Sequence, residues 1–91
     1  MNSFHYPPEL FDALQSLGLA PKATTPPAFA RGAIDELYKY ELRRLRNRLR
    51  AAEVERANYL DLVIGLRKKY WMLTLPLAAW ERICQTADVT S

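Results

Sequence analysis

Ninety-one residues, 49% apolar and 25% charged, make one small globular domain and exclude a disordered or fibrous chain. The one cysteine, Cys84, excludes an internal disulfide, and the longest apolar run, 62–66, is far short of a membrane span. The first residues lack the basic lead and apolar stretch of a signal peptide, so a cytoplasmic protein is expected. The net charge of +3 hides an asymmetry. Residues 39–50 hold six of the thirteen cations and one of the ten acids, a net +5, and the remainder of the chain is −2.

The first predicted element is a short helix over 8–17. Pro7 and Pro8 pre-set its first turn, and Glu9 and Asp12 lie at the positive end of its dipole. Leu10, Phe11, Leu14 and Leu17 share one face, and Gly18 suits a left-handed cap with Leu19 as its apolar partner. A helix this short does not stand alone in water, so its face must dock on the rest of the chain. Residues 18–32 read as a proline-rich linker, with Thr25 as a helix cap, Pro26 as the first helical residue and Gly32 weakening the early turn. The next helix is therefore expected from Ala33, with Asp35 and Glu36 in its first turn.

From 33 to 73 no proline intervenes. Tyr38, Leu42, Leu45, Leu49, Ala52, Arg56, Tyr59, Val63, Leu66, Tyr70 and Leu73 fall on alternating spacings of four and three, the pattern of a coiled-coil seam broken only by Arg56. Leu60, Leu62, Ile64 and Trp71 lie off that seam, so the second half is apolar nearly all round and calls for cover on two sides. A central antiparallel helical hairpin with a turn at 51–55 meets that demand, the second face being left for the N-terminal helix. The alternative is one continuous coiled-coil helix about 60 Å long.

The stretch "LRNRLRAAEVERANYLDLVIGL", Leu45 to Leu66, resembles the helical hairpin of short C-terminal SHOCT-type modules over about a quarter of the chain. The resemblance implies that Leu45 and Leu49 end the first helix, that Val54 plugs the turn and that Tyr59 opens the second helix. It implies association rather than catalysis. Where that turn usually carries a glycine and a Ser/Thr cap, this chain has Ala52 and Glu55.

A last short helix is expected over 76–85, capped by Thr74 or Leu75, with Pro76 at its first position and Leu77, Trp80 and Ile83 or Cys84 on one face. Residues 86–91 should fray. The expected fold is all-α, a single small helical domain.

In "YKYELRRLRNRLR" the cations Lys39, Arg43, Arg46 and Arg50 form a stripe about 16 Å long beside the leucines, and Arg44 and Arg48 point elsewhere. Such a row is either the solvated flank of a packing helix or a steering surface for an acidic partner. Tyr40 and Trp71, amphipathic and off the seam, are the candidate anchors beside it. A row of this kind also fits phosphates, so nucleic acid is the alternative partner. Against that alternative, the rest of the chain is net acidic, no zinc-finger, RNP-like or GXXG motif occurs, and the second helix is too apolar to read a groove.

Catalytic constellations are missing. His5 and Cys84 stand at opposite ends of the chain without a recognisable nucleophile setting, and one of each makes no zinc site. No acid pair has general acid/base spacing, three glycines form no phosphate loop, and Ser3, Ser16 and Ser91 lie in no nucleophile elbow. The sequence therefore reads as a non-enzymatic interaction or accessory protein without cofactor, metal or small-molecule substrate, which self-associates or binds a larger protein.

Overall fold

The computed structural model describes residues 3–85, and the expected frayed tail at 86–91 lies outside them. The described residues are all-α: α1 (Pro8–Ser16), α2 (Pro27–Arg50), α3 (Arg56–Lys69), a 3-10 turn (Trp71–Thr74) and α4 (Leu77–Ile83).

The helix ends follow the punctuation of the chain, with three adjustments. Pro7 caps α1 and Pro8 opens it. Gly18 takes φ +92°, its N–H donates to the Gln15 carbonyl at 3.0 Å, and the Leu19 N–H donates to the Leu14 carbonyl at 2.9 Å. These are the paired bonds of a Schellman terminator. Helix α2 begins at Pro27 rather than Ala33, so the linker ends at Pro26 and 27–32 are helical. Burial of Pro27, Ala30 and Ile34 outweighs the roughly 1 kcal/mol that Gly32 costs within a helix. Thr25 caps nothing; its hydroxyl accepts the Lys22 N–H at 3.0 Å. Helix α4 begins at Leu77, with Pro76 as its cap rather than its first residue.

Helix α2 does not run on into α3. The Ala52 N–H donates to Leu49 O at 3.1 Å and the Glu53 N–H to Arg48 O at 2.9 Å, so α2 ends in the same paired bonds as α1. Here the left-handed position, φ +61°, is held by Ala52 instead of glycine. Val54 is buried, and Glu55 caps α3 without a side-chain hydrogen bond. Beyond this break α3 packs against α2. The seam residues here are buried or half-buried: Tyr38, Leu42, Leu45 and Leu49 on α2, and Tyr59, Val63 and Leu66 on α3, with Tyr70 just past its end. The exposed exceptions, Ala52 and Arg56, flank the break.

The core gathers at one end. Tyr6, Leu10, Leu14, Ala30, Ile34, Tyr70, Met72, Trp80 and Cys84 form a single buried cluster. Its polar atoms are satisfied: the Tyr6 hydroxyl donates to Thr25 O (2.7 Å) and Trp80 Nε1 to Met72 O (2.9 Å). Arg31 ties α2 to the segment before α4, donating from Nε to Leu75 O at 3.0 Å and from Nη2 to Leu73 O at 3.1 Å. The N-terminal strand of chain is pinned by Phe4 N–H to Ala23 O (2.8 Å) and His5 N–H to Cys84 O (2.9 Å).

This cluster engages only the first half of α2, a helix about 36 Å long at 1.5 Å per residue. The rest of α2 and most of α3 extend from it as a two-helix arm. The radius of gyration is accordingly 16.1 Å, against about 12 Å for a compact chain of this length. Helix α1 spends its apolar face on the core and leaves the outer face of α3 open, contrary to the expectation that it would cover it. Helix α3 contributes no buried residue, and Leu60 and Ile64 are 64% and 48% exposed.

Candidate functional site

The arm carries the residues singled out from the sequence, but not as one site. Because α2 meets α3 along the leucine seam, cations lie on both sides of the contact. Lys39, Arg43 and Arg46 surround Leu42 in a shallow depression on one flank. On the other flank Arg44 and Arg48 border a larger groove between the two helices. At 100° per residue, Leu62, Gly65 and Lys69 face this groove, whereas Leu60 and Ile64 turn away from it, toward the flank that bears the Lys39/Arg43/Arg46/Arg50 row.

The members of that row differ in charge environment. Lys39 is held by Asp35 at 3.0 Å and Glu36 at 3.7 Å, and the Asp35 hydrogen bond and charge raise its pKa. It is locally compensated and contributes little free positive potential. Arg43, Arg46 and Arg50 are exposed and have no carboxylate within 4.0 Å among the described residues. The effective row is therefore three arginines with Leu60 and Ile64 beside them.

Tyr40 is 51% exposed, opposite the leucine seam and outside the groove lining, with the Arg44 guanidinium 5.9 Å from its ring centroid. Trp71 is 39% exposed in the 3-10 turn beyond α3. Neither belongs to the arginine row, so the six candidate residues divide among three places.

The groove has a volume of about 380 Å³. Leu45, Leu62 and Leu66 supply its apolar surface, Arg44 and Arg48 one rim and Asp61 the opposite one. At the end nearest the core it is closed by a polar cluster. Lys69 Nζ lies 3.2 Å from the Glu41 carboxylate, the Tyr70 hydroxyl donates to that same carboxylate, and the Tyr70 ring packs on Tyr38 at 5.2 Å. Burial alone would push the Glu41 carboxyl up, but Tyr70, Lys69 and Arg44 together outweigh it and hold the carboxyl below its ordinary value. Burial and the Glu41 charge push the Tyr70 hydroxyl well above its ordinary value.

Sequence reasoning overlooked this groove. Arg44 and Arg48 stand four apart with Leu45 between them, a signal of a second cationic flank, yet nothing in the one-dimensional pattern says that Leu62 and Gly65 lie opposite.

The two residues considered for nucleophilic chemistry are brought together through backbone only. His5 is exposed, whereas Cys84 is fully buried and its burial pushes the thiol pKa up, which opposes thiolate formation. Among the described residues no three His, Cys, Asp or Glu side chains converge as metal ligands, and no helix is long and apolar enough to cross a membrane. No family model, curated protein or solved structure matches this chain.

Proposed function

We propose that this chain is a non-catalytic interaction or accessory protein, set in the cytoplasm, whose two-helix arm self-associates or docks on a larger protein. The observation that carries this reading is the bare outer face of α3, where Leu60 and Ile64 remain in solvent although the core has a full complement of apolar neighbours. Exposed apolar groups on an elongated arm gain free energy only by burial against something else. Arg43, Arg46 and Arg50 beside them have no carboxylate within 4.0 Å among the described residues, so their field is available to steer and orient an acidic surface.

The test combines sedimentation equilibrium of the purified chain with crosslinking in its native cells, for wild type, R43E/R46E and L60S/I64S. L60S/I64S should weaken self-association or loosen the crosslinked partner, and R43E/R46E should loosen an acidic partner mainly at low salt, with helicity by circular dichroism unchanged. A monomer whose crosslinking pattern neither variant alters would sink the reading.

The unpaired arginines also support a second reading, a nucleic-acid-binding regulator that sets the same row against phosphates. Its mark is micromolar binding of random duplex or single strand that collapses as salt rises, with a slope that R43E/R46E flattens.

A further inference from the structure

The arm presents a second apolar surface that the arginine row does not explain. In the groove, Leu45, Leu62 and Leu66 form a slot about 380 Å³ in volume, enough for one or two large apolar side chains rather than a whole domain. Arg44 and Arg48 stand one helical turn apart on the α2 rim, about 6 Å along the axis. That is also the separation of two carboxylates spaced by four residues on a helix laid along the slot. Among the described residues Arg44 makes no ion pair within 4.0 Å, although its charge is felt by Glu41, and Arg48 makes one, with Glu53 at 4.0 Å.

Gly65 points the same way. It sits within α3, where glycine costs about 1 kcal/mol relative to alanine. An added Cβ would meet nothing within 4 Å, so no close approach among the described residues calls for a glycine there. What its missing side chain does is keep the slot open.

Charge selects the occupant. Residues 39–69 hold ten of the thirteen cations and four of the ten acids, a net +6, whereas the remainder is −3. Two such arms pressed together would oppose each other electrostatically, which argues against a second copy in the slot.

We propose that the α2–α3 groove is a docking slot for an acidic amphipathic helix of another protein. Large apolar side chains enter between Leu45, Leu62 and Leu66, and a pair of carboxylates one turn apart meets Arg44 and Arg48. Asp61 on the opposite rim disfavours the reversed charge pattern and so orients the helix. The proposal rests on the reading of the chain as an interaction protein.

The test is selection of helical peptides, from a displayed library with a fixed amphipathic pattern and randomised flanks, against the immobilised full chain. Enriched peptides should carry two acids four residues apart beside large apolar residues. G65L fills the slot while removing a helix glycine, and the folding of the variant is checked by circular dichroism and thermal melting against wild type. G65L should weaken the best peptide at least about tenfold, the equivalent of about 1.4 kcal/mol, and R44E/R48E should do the same. L60S/I64S should leave the binding unchanged. Enrichment that ignores G65L but fails with L60S/I64S overturns the slot and leaves the interaction reading intact. No enrichment on any face overturns the slot, and if the chain is also monomeric with a crosslinking pattern that neither R43E/R46E nor L60S/I64S alters, both readings fall. Sedimentation showing a dimer that G65L dissociates would assign the slot to a second copy, and binding of random duplex lost in R44E/R48E would assign it to nucleic acid. Either result overturns the proposal.

Discussion

The Tyr70 hydroxyl donates to the Glu41 carboxylate, joining the segment just after α3 to the middle of α2 at the point where the core gives way to the arm. Lys69 adds its charge to the same carboxylate. The three residues form a clamp that sets how α3 leaves the core. Because Glu41 has a depressed folded pKa, its contribution to stability is present above the unfolded carboxylate value and is lost as pH falls through the folded one. Y70F should therefore cost about 1.5–3 kcal/mol at neutral pH, the usual range for losing a hydrogen bond to a charged group. The difference in thermal midpoint between Y70F and wild type should shrink as pH falls below the ordinary carboxylate range. An equal difference at neutral and acid pH would show that the clamp acts by packing alone.

The opposite pH limit tests Tyr6. Burial, and then the neighbouring Cys84, push its pKa from 10.0 to about 12. A raised value means that the neutral form is favoured in the folded state. The resulting stability is complete below about pH 10 and declines as pH rises toward 12. Denaturant unfolding followed from pH 9 to 11.5 should show stability falling more steeply for wild type than for Y6F. Parallel profiles would contradict the assignment.

The break between α2 and α3 contains a stabilising substitution waiting to be made. Ala52 holds a left-handed conformation, φ +61°, at the position where the Schellman geometry favours glycine. A52G should raise stability by about 0.5–1 kcal/mol, relief of left-handed strain exceeding the added flexibility of the unfolded chain. Urea titration measures it directly. A loss of stability would mean that the turn is held by something other than this backbone geometry.

Arg31 joins α2 to the Leu73 and Leu75 carbonyls through two nitrogens of one guanidinium. R31K keeps the charge but not the fork, and should lose most of what R31A loses, about 1–2 kcal/mol or roughly 4–16 °C in thermal midpoint. Full rescue by lysine would show that charge, not the paired geometry, matters there.

How far the chain can be read in one dimension varies from residue to residue. Gly18 could be assigned its left-handed cap because only local bonds are involved, and the alternating four and three spacing of Tyr38 to Tyr70 identified the residues that α2 and α3 turn toward each other. Those are properties of a helix about its own axis, so periodicity contains them. The start of α2 was misjudged because Ala30 and Ile34 pack into a core assembled from both ends of the chain, and that packing overrides a local glycine. Periodicity also could not say that α1 would leave the outer face of α3 bare, or that Leu62 and Gly65 would line a slot opposite Arg44 and Arg48. A sequence states which residues share a face. Only the folded chain decides what, if anything, covers it, because that depends on contacts between segments tens of residues apart.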